Sequence, residues 1–171
     1  DVTTIDKFEP TASSKEKHVF MDLDIDPWTI DISQYDVILA LDIVEHLNSP
    51  ERFLLDLRNY MRSDHRPIIY LSTPNVGFFL VRLSLLLGRF SYADRGILDI
   101  THKRLFTLSS LRKLLKDTGY EIKIQKGIGP PILVFGRNPL FRALAGVFNG
   151  LARPFQRLFA FQLLMVAEPK V

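Results

Sequence analysis

Cysteine is absent from the 171 residues, so the chain has no disulfide framework and no thiolate metal site. That fits a reducing compartment, and a cytoplasmic location is expected on this ground. Long apolar runs are also lacking. The most apolar stretch, Phe78 to Leu87, contains Arg82 and falls well short of the roughly 20 residues that a bilayer-spanning helix needs. No segment has the form of a secretory signal. Charge of one sign is scarce, with a formal net charge of only +3, so a nucleic-acid partner is not expected. Glycine is missing from the front of the chain, where the first is Gly77. The chain opens at Asp1, without a methionine, on a segment that already reads as a strand, so a longer parent is expected.

What is present is ordinary globular material. Apolar residues make up 47% and charged residues 24%, enough for one domain with a core. Val2 to Ile5 is a short β-branched run ending in Asp6, and His18 to Met21 is a second, ending in Asp22-Leu23-Asp24. Asp36 to Leu41 is continuously apolar after its first residue, which predicts a parallel strand buried on both faces. Ser49 and Pro50 suit the cap and first position of a helix carrying Phe53, Leu54, Leu57, Tyr60 and Met61 on one face. Pro67 to Thr73 reads as the next strand. Thr107 caps a helix with Leu108, Leu111, Leu114 and Leu115 along one side, and Gly119 is its expected C′ residue. Tyr120 to Gln125 and Phe161 to Ala167 are further strands. Between them, residues 139–159 read as one or two amphipathic helices broken near Pro154. Strands alternating with helices predict an α/β domain with a mainly parallel sheet.

Three blocks carry a family resemblance. Tyr35-Asp-Val-Ile-Leu-Ala-Leu-Asp-Ile-Val-Glu-His-Leu-Asn-Ser-Pro50 resembles the fourth-strand motif of class I S-adenosylmethionine-dependent methyltransferases. Leu71-Ser-Thr-Pro-Asn75 resembles the end of their fifth strand, and His102-Lys-Arg-Leu-Phe-Thr107 with Gly119-Tyr120 resembles a later conserved stretch. Their order and spacing make the resemblance specific, over about residues 1–126 and more loosely 161–168. It is closest to small-molecule and quinone O-methyltransferases. It implies a Rossmann-like sheet, mostly parallel with an antiparallel last strand, here lacking the family's first strand and glycine-rich loop. Without that strand, the first two strands lose a neighbour. The 171 residues alone are therefore expected to bind S-adenosylmethionine poorly, be inactive and order their front end weakly.

The resemblance also implies roles. Asp6 matches the acid that holds the cofactor's ribose hydroxyls, by accepting two hydrogen bonds from a vicinal diol. A loop-capping role is its local alternative. Asp22 matches the acceptor for the adenine amino group, with Leu23 beside the ring; Asp24 competes for that role. Asp42 and Ile43 would face the cofactor and acceptor cleft. Asp42, Glu45 and His46 form D-x-x-E-H, and a helical turn starting at Asp42 would put all three on one face. With His102 they suit Mg or another divalent metal, resembling the site of small-RNA 2′-O-methyltransferases with Asp in place of Glu. Alternatives are His46 or His102 as a metal-free general base, and purely structural hydrogen bonds by Glu45 and His46.

Residues 76–106 fall where the family inserts its substrate cover, and residues 137–160 form an amphipathic helical segment. The first is rich in Phe and Leu. The second carries Arg137, Arg142, Arg153 and Arg157. Together they favour a small, hydrophobic or lipid-like acceptor, O-methylation, and association with a membrane surface. An ordinary lid with solvated arginines is the alternative. The competing functions are a non-catalytic module that binds a partner or membrane, a nicotinamide-dependent enzyme and an RNA 2′-O-methyltransferase. The E-H and T-P-N motifs weigh against the nicotinamide class, and low charge with an apolar cover weighs against RNA.

Overall fold

A computed structural model of the chain describes residues 2–8, 17–61, 66–134, 136 and 138–170. Strands β1 (Thr3–Asp6), β2 (Lys17–Phe20) and β3 (Val37–Leu41) lead into helix α1 (Pro50–Asn59). Then come β4 (Ile68–Pro74), α2 (Phe79–Leu86), α3 (Leu108–Asp117), β5 (Tyr120–Ile128), α4 (Pro139–Ala152), α5 (Gln156–Phe159) and β6 (Gln162–Pro169). Four strands form one sheet in the order β3-β4-β6-β5. β3 and β4 run parallel, while β6 is antiparallel to both β4 and β5.

β1 and β2 form a separate parallel pair. Among the described residues, no ladder joins β1 to β3. Two polar braces hold the pair in place instead. The Tyr35 hydroxyl, just before β3, donates to Thr3 Oγ1 at 2.8 Å. The Asp24 carboxylate, just after β2, accepts from the Asn48 amide at 2.8 Å and from Lys103 Nζ at 2.9 Å. One brace joins the amino ends of β1 and β3, and the other joins the regions after β2 and β3. The carboxyl ends of these strands therefore gather on one side of the molecule, the usual place for a ligand crevice in an open α/β sheet.

The main sheet follows from the sequence pattern. Ser49 caps α1 through Arg52 N, Pro50 takes the first position, and Phe53, Leu54 and Leu57 are buried. α3 starts in a reciprocal capping box between Thr107 and Ser110 and buries Leu108, Leu111, Leu114 and Leu115. It ends at Gly119, whose φ of +84° needs glycine. Fully burying each such leucine contributes about 1.5–3 kcal/mol. The break expected near Pro154 separates α4 from α5.

β3 departs from expectation. Ala40 is buried, but Val37, Leu39 and Leu41 are exposed, Leu39 by 65%. An apolar run signals burial on both faces only where both are covered, and here one face of β3 lies open. Residues 76–106, expected to be irregular, contain α2. Its leucines point every way, so no amphipathic period marked it. The stretch 9–16 and Arg137 lie outside the described residues.

Candidate functional site

The turn after β3 builds the centre of the site. Asp42 sits at φ +53°, the left-handed region, where a non-glycine residue costs roughly 1–2 kcal/mol. Hydrogen bonds hold it there. Its amide donates to the Ser72 carbonyl at 3.1 Å. Ser72 Oγ donates to Asp42 Oδ1 at 3.0 Å, and Gln162 Nε2 reaches Oδ1 and Oδ2 at 2.7 and 2.9 Å. The left-handed residue breaks the helical turn expected at Asp42. Asp42 is accordingly absent from the cluster of metal-capable groups that forms three residues later. Ile43 packs partly buried against the core.

That cluster is Glu45, His46 and His102, whose ligand-capable atoms lie within 4.8 Å of one another. Glu45 is 1% exposed, and neither carboxylate oxygen has a hydrogen-bond partner among the described residues. Loss of solvent pushes its carboxyl up to about 7, and the Asp42 charge adds to this. The nearby Thr73 hydroxyl offsets the rise in part, although neither group makes a bond of ordinary geometry. The Glu45 carbonyl accepts from the Lys103 and Arg104 amides at 2.8 and 3.0 Å, which brings the segment before α3 to the turn after β3.

The imidazoles of His46 and His102 meet edge to face, with centroids 4.8 Å apart. His102 Nδ1 lies 3.1 Å from the Ile97 carbonyl, and His46 Nδ1 lies 3.3 Å from the Thr101 carbonyl. A carbonyl accepts only, so each Nδ1 donates there, His46 Nδ1 also lying 3.3 Å from Thr101 Oγ1; in the neutral imidazoles that tautomer leaves the lone pair on Nε2. Thr101 is tied down by Asp99, whose Oδ1 accepts from the Thr101 amide and hydroxyl at 2.8 and 2.7 Å. These bonds, chiefly the one from the Thr101 amide, hold the Asp99 carboxyl below its ordinary range.

Asp6 ends β1 with an exposed carboxylate whose Oδ1 accepts from Phe8 N at 3.0 Å. Asp22 follows β2 and accepts from Asp24 N at 2.9 Å, with Leu23 packed on the core. Both aspartates cap turns, as the bland alternative expected of Asp6. Asp24 is committed to Asn48 and Lys103. Its burial raises the carboxyl, and bonds from Lys103 and Asn48 together with the Lys103 charge bring it below its ordinary range.

Residues 1–124 match the family profile described as a methyltransferase domain. The chain belongs to this methyltransferase family. The fold is that of its S-adenosylmethionine-dependent class I members. A SAM-dependent methyltransferase from Archaeoglobus fulgidus superposes with a TM-score of 0.57 at 17% identity, over 97% of this chain and 75% of that one. A SAM-dependent methyltransferase from Thermotoga maritima gives 0.56 at 12%, over 91% and 64%. The 1,6-didemethyltoxoflavin-N1-methyltransferase of Burkholderia thailandensis, solved with S-adenosylhomocysteine, gives 0.53 at 15%, over 99% and 61%. The chain thus spans about three-fifths to three-quarters of these proteins. No curated protein matches it in sequence.

Within this methyltransferase several site residues escaped the motifs. Gln162 lies 120 residues from Asp42 and reaches it because β6 pairs antiparallel with β4, Gln162 opposite Pro74. Thr101 and Asp99 adjoin His102 in sequence, yet their hold on His46 is purely tertiary. Asn75 of the T-P-N motif is buried and structural. It donates to the Ala160 carbonyl at 2.8 Å and accepts from Gly77 N at 3.0 Å, clamping α5 to the end of β4. Beyond Gln162 opens a cleft of about 280 Å³ lined by Ile128, Pro130, Ile132, Val134, Ala145 and Phe161.

Proposed function

We propose that this methyltransferase transfers a methyl group from S-adenosylmethionine to a hydroxyl oxygen of a small, hydrophobic or lipid-like acceptor. The observation that carries the reading is the pair of imidazoles of His46 and His102, each with Nδ1 beside a carbonyl, next to a buried Glu45 whose carboxylate has no hydrogen-bond partner among the described residues. A neutral hydroxyl is a weak nucleophile and profits from a base that takes its proton, where a neutral amine is nucleophilic unaided. The apolar cleft beyond Gln162 suits a hydrophobic acceptor, and residues 76–106 with 137–160 would cover it.

Bound S-adenosylmethionine supplies an electrophilic methyl group on a sulfonium. Asp6 would accept from its ribose diol, and Asp22, beside Leu23, would accept from its adenine amine. The commitment of Asp24 to Asn48 and Lys103 favours Asp22 for this task. Asp42, fixed by Ser72 and Gln162, and Ile43 line the cleft between cofactor and acceptor. His102 or His46 would take the acceptor's hydroxyl proton at Nε2; the cofactor would supply the methyl group, its sulfur–methyl bond breaking to leave S-adenosylhomocysteine. Glu45 beside them stabilises the resulting imidazolium.

A second reading rests on the same orphaned carboxylate. Glu45, His46 and His102 would hold Mg or a softer divalent ion, each His oriented by a carbonyl on its other nitrogen, as metal-bound imidazoles usually are. The ion would lower the acceptor hydroxyl's pKa. Asp42 lies outside this set, which the sequence had included.

Methyl transfer is tested with labelled S-adenosylmethionine and a panel of prenylated phenols, their amine analogues and a chelator control. Label is expected in methyl ethers, with kcat falling about 100-fold or more in His102→Asn. Label confined to nitrogen or carbon would contradict the oxygen assignment. Loss of activity in the chelator, restored by the ion, would favour the metal reading.

A further inference from the structure

We propose that the excursion from Leu80 to Tyr92, together with α4 and α5, is a docking face for an anionic membrane surface. The excursion leaves the end of β4 after Asn75 and returns at Ile97. It is pinned from beneath by buried Phe78, Val81 and Ile97, packed with Phe161. What it shows to solvent is almost wholly apolar. Leu80, Leu83 and Leu85 are about half exposed, Leu86 is 81% exposed and Leu87 63%. A left-handed Gly88 then turns the chain into Phe90 and Tyr92, an exposed edge-to-face pair. Soluble monomers rarely leave so concentrated an apolar patch uncovered.

α4 continues the face. Phe79 stacks on Phe148 of α4 and touches Phe159 of α5, and Arg82 donates to the Arg157 carbonyl at 3.3 Å. Leu140, Leu144 and Val147, one stripe at helical spacing, are exposed beside it.

Charge selects the occupant. From Asn75 to Ala93 the chain has Arg82 and Arg89 and no acid, and from Ile124 to Ala167 it has five basic residues and no acid. The chain as a whole is nearly balanced at +3, so its positive charge is concentrated in these segments. Exposed Arg82, Arg89, Arg142, Arg153 and Arg157, on the segments that carry the exposed leucines or next to them in the chain, fit anionic headgroups over hydrocarbon. Nucleic acid would want a polar face, which the leucines deny. A second copy of the chain would bring like charge against like.

Docking has a consequence for the proposed acceptor, on whose hydrophobic character it builds. The excursion's return leg supplies the Ile97 carbonyl that holds His102, so the face adjoins the site. An acceptor with its tail in the bilayer would meet Nε2 of His46 and His102 near the headgroups.

The test is co-sedimentation of the full protein with vesicles of equal phosphatidylcholine and phosphatidylglycerol, and with phosphatidylcholine alone, with methyl transfer not measured. Binding to the mixed vesicles is expected to be at least about tenfold tighter and to weaken with salt. Leu83→Glu with Leu86→Glu should lower it about tenfold or more while leaving thermal unfolding unchanged, since both side chains are exposed. Arg89→Glu with Arg142→Glu should remove the preference for anionic lipid. Failure to sediment with the mixed vesicles, or indifference to the leucine substitutions, would overturn the proposal. So would a dimer in sedimentation velocity that the same leucine substitutions dissolve, because the face would then belong to a second copy. None of these outcomes touches the methyl-transfer reading, which the labelling assay decides separately.

Discussion

Glu45 is the most consequential single residue. Burial of its carboxyl, with no hydrogen-bond partner among the described residues, raises its folded-state pKa from 4.5 to about 7. A raised carboxyl favours the folded state only while protonated in both states. That stability is fully present below about pH 4.5 and is lost as pH rises through about 7, a change on the order of 1–3 kcal/mol. Thermal melts of the ligand-free protein between pH 5 and 8 should therefore fall more steeply for wild type than for Glu45→Gln. Parallel curves would mean that Glu45 is solvated or paired. The role of Glu45 was half legible in sequence. E-H after an apolar strand marks a site, but nothing local says that the side chain is buried without a partner. Asp42 was legible as a candidate residue and illegible in conformation, since its left-handed φ is held by Ser72 and by Gln162 from the far end of the chain.

Elements with strong local signals were legible, and those shaped by their neighbours were not. α1 and α3 carry a cap, a stop and a leucine stripe, and each forms where these point. α2 has leucine on nearly every side, so periodicity could not distinguish it from a loop. β3 has the composition of a doubly covered strand and one open face, because covering is a property of the neighbours. The separation of β1–β2 from the main sheet was expected from the family's strand order. It carries a dynamic consequence. The pair is held by one ladder and a few polar braces, whereas β4 and β6 are central and deeply buried. Amides of β1 and β2 should exchange about 100-fold faster or more than those of β4 and β6 in native-state hydrogen exchange. Equal protection would mean that the two sheets unfold as one unit.

At the scale of the molecule, the fold brings Gln162 to Asp42 and His102 to Glu45 and His46, groups that lie far apart in the sequence. Asp6 and Asp22 stand after β1 and β2. Asp42, Glu45 and His46 follow β3, His102 comes from the segment before α3, and Gln162 opens β6. The order of the motifs was enough to name the methyltransferase fold, because that order is the order of the strands. The proposed acceptor cleft was much less legible, since it is walled by residues 128–134, α4 and the start of β6, which share no motif.

The most direct test of the account is titration calorimetry of S-adenosylhomocysteine into the protein as its cell makes it, wild type beside Asp6→Ala. The Asp6 side chain is exposed and, among the described residues, bonded only to Phe8 N, so the variant should fold. The account predicts saturable binding by wild type and an affinity at least about tenfold lower in the variant, the loss expected when a charged acceptor for the ribose diol is removed. No binding by wild type, or the same affinity in both, would contradict it. The first outcome would leave the fold as a scaffold for partner or membrane contacts, and the second would place the cofactor away from β1.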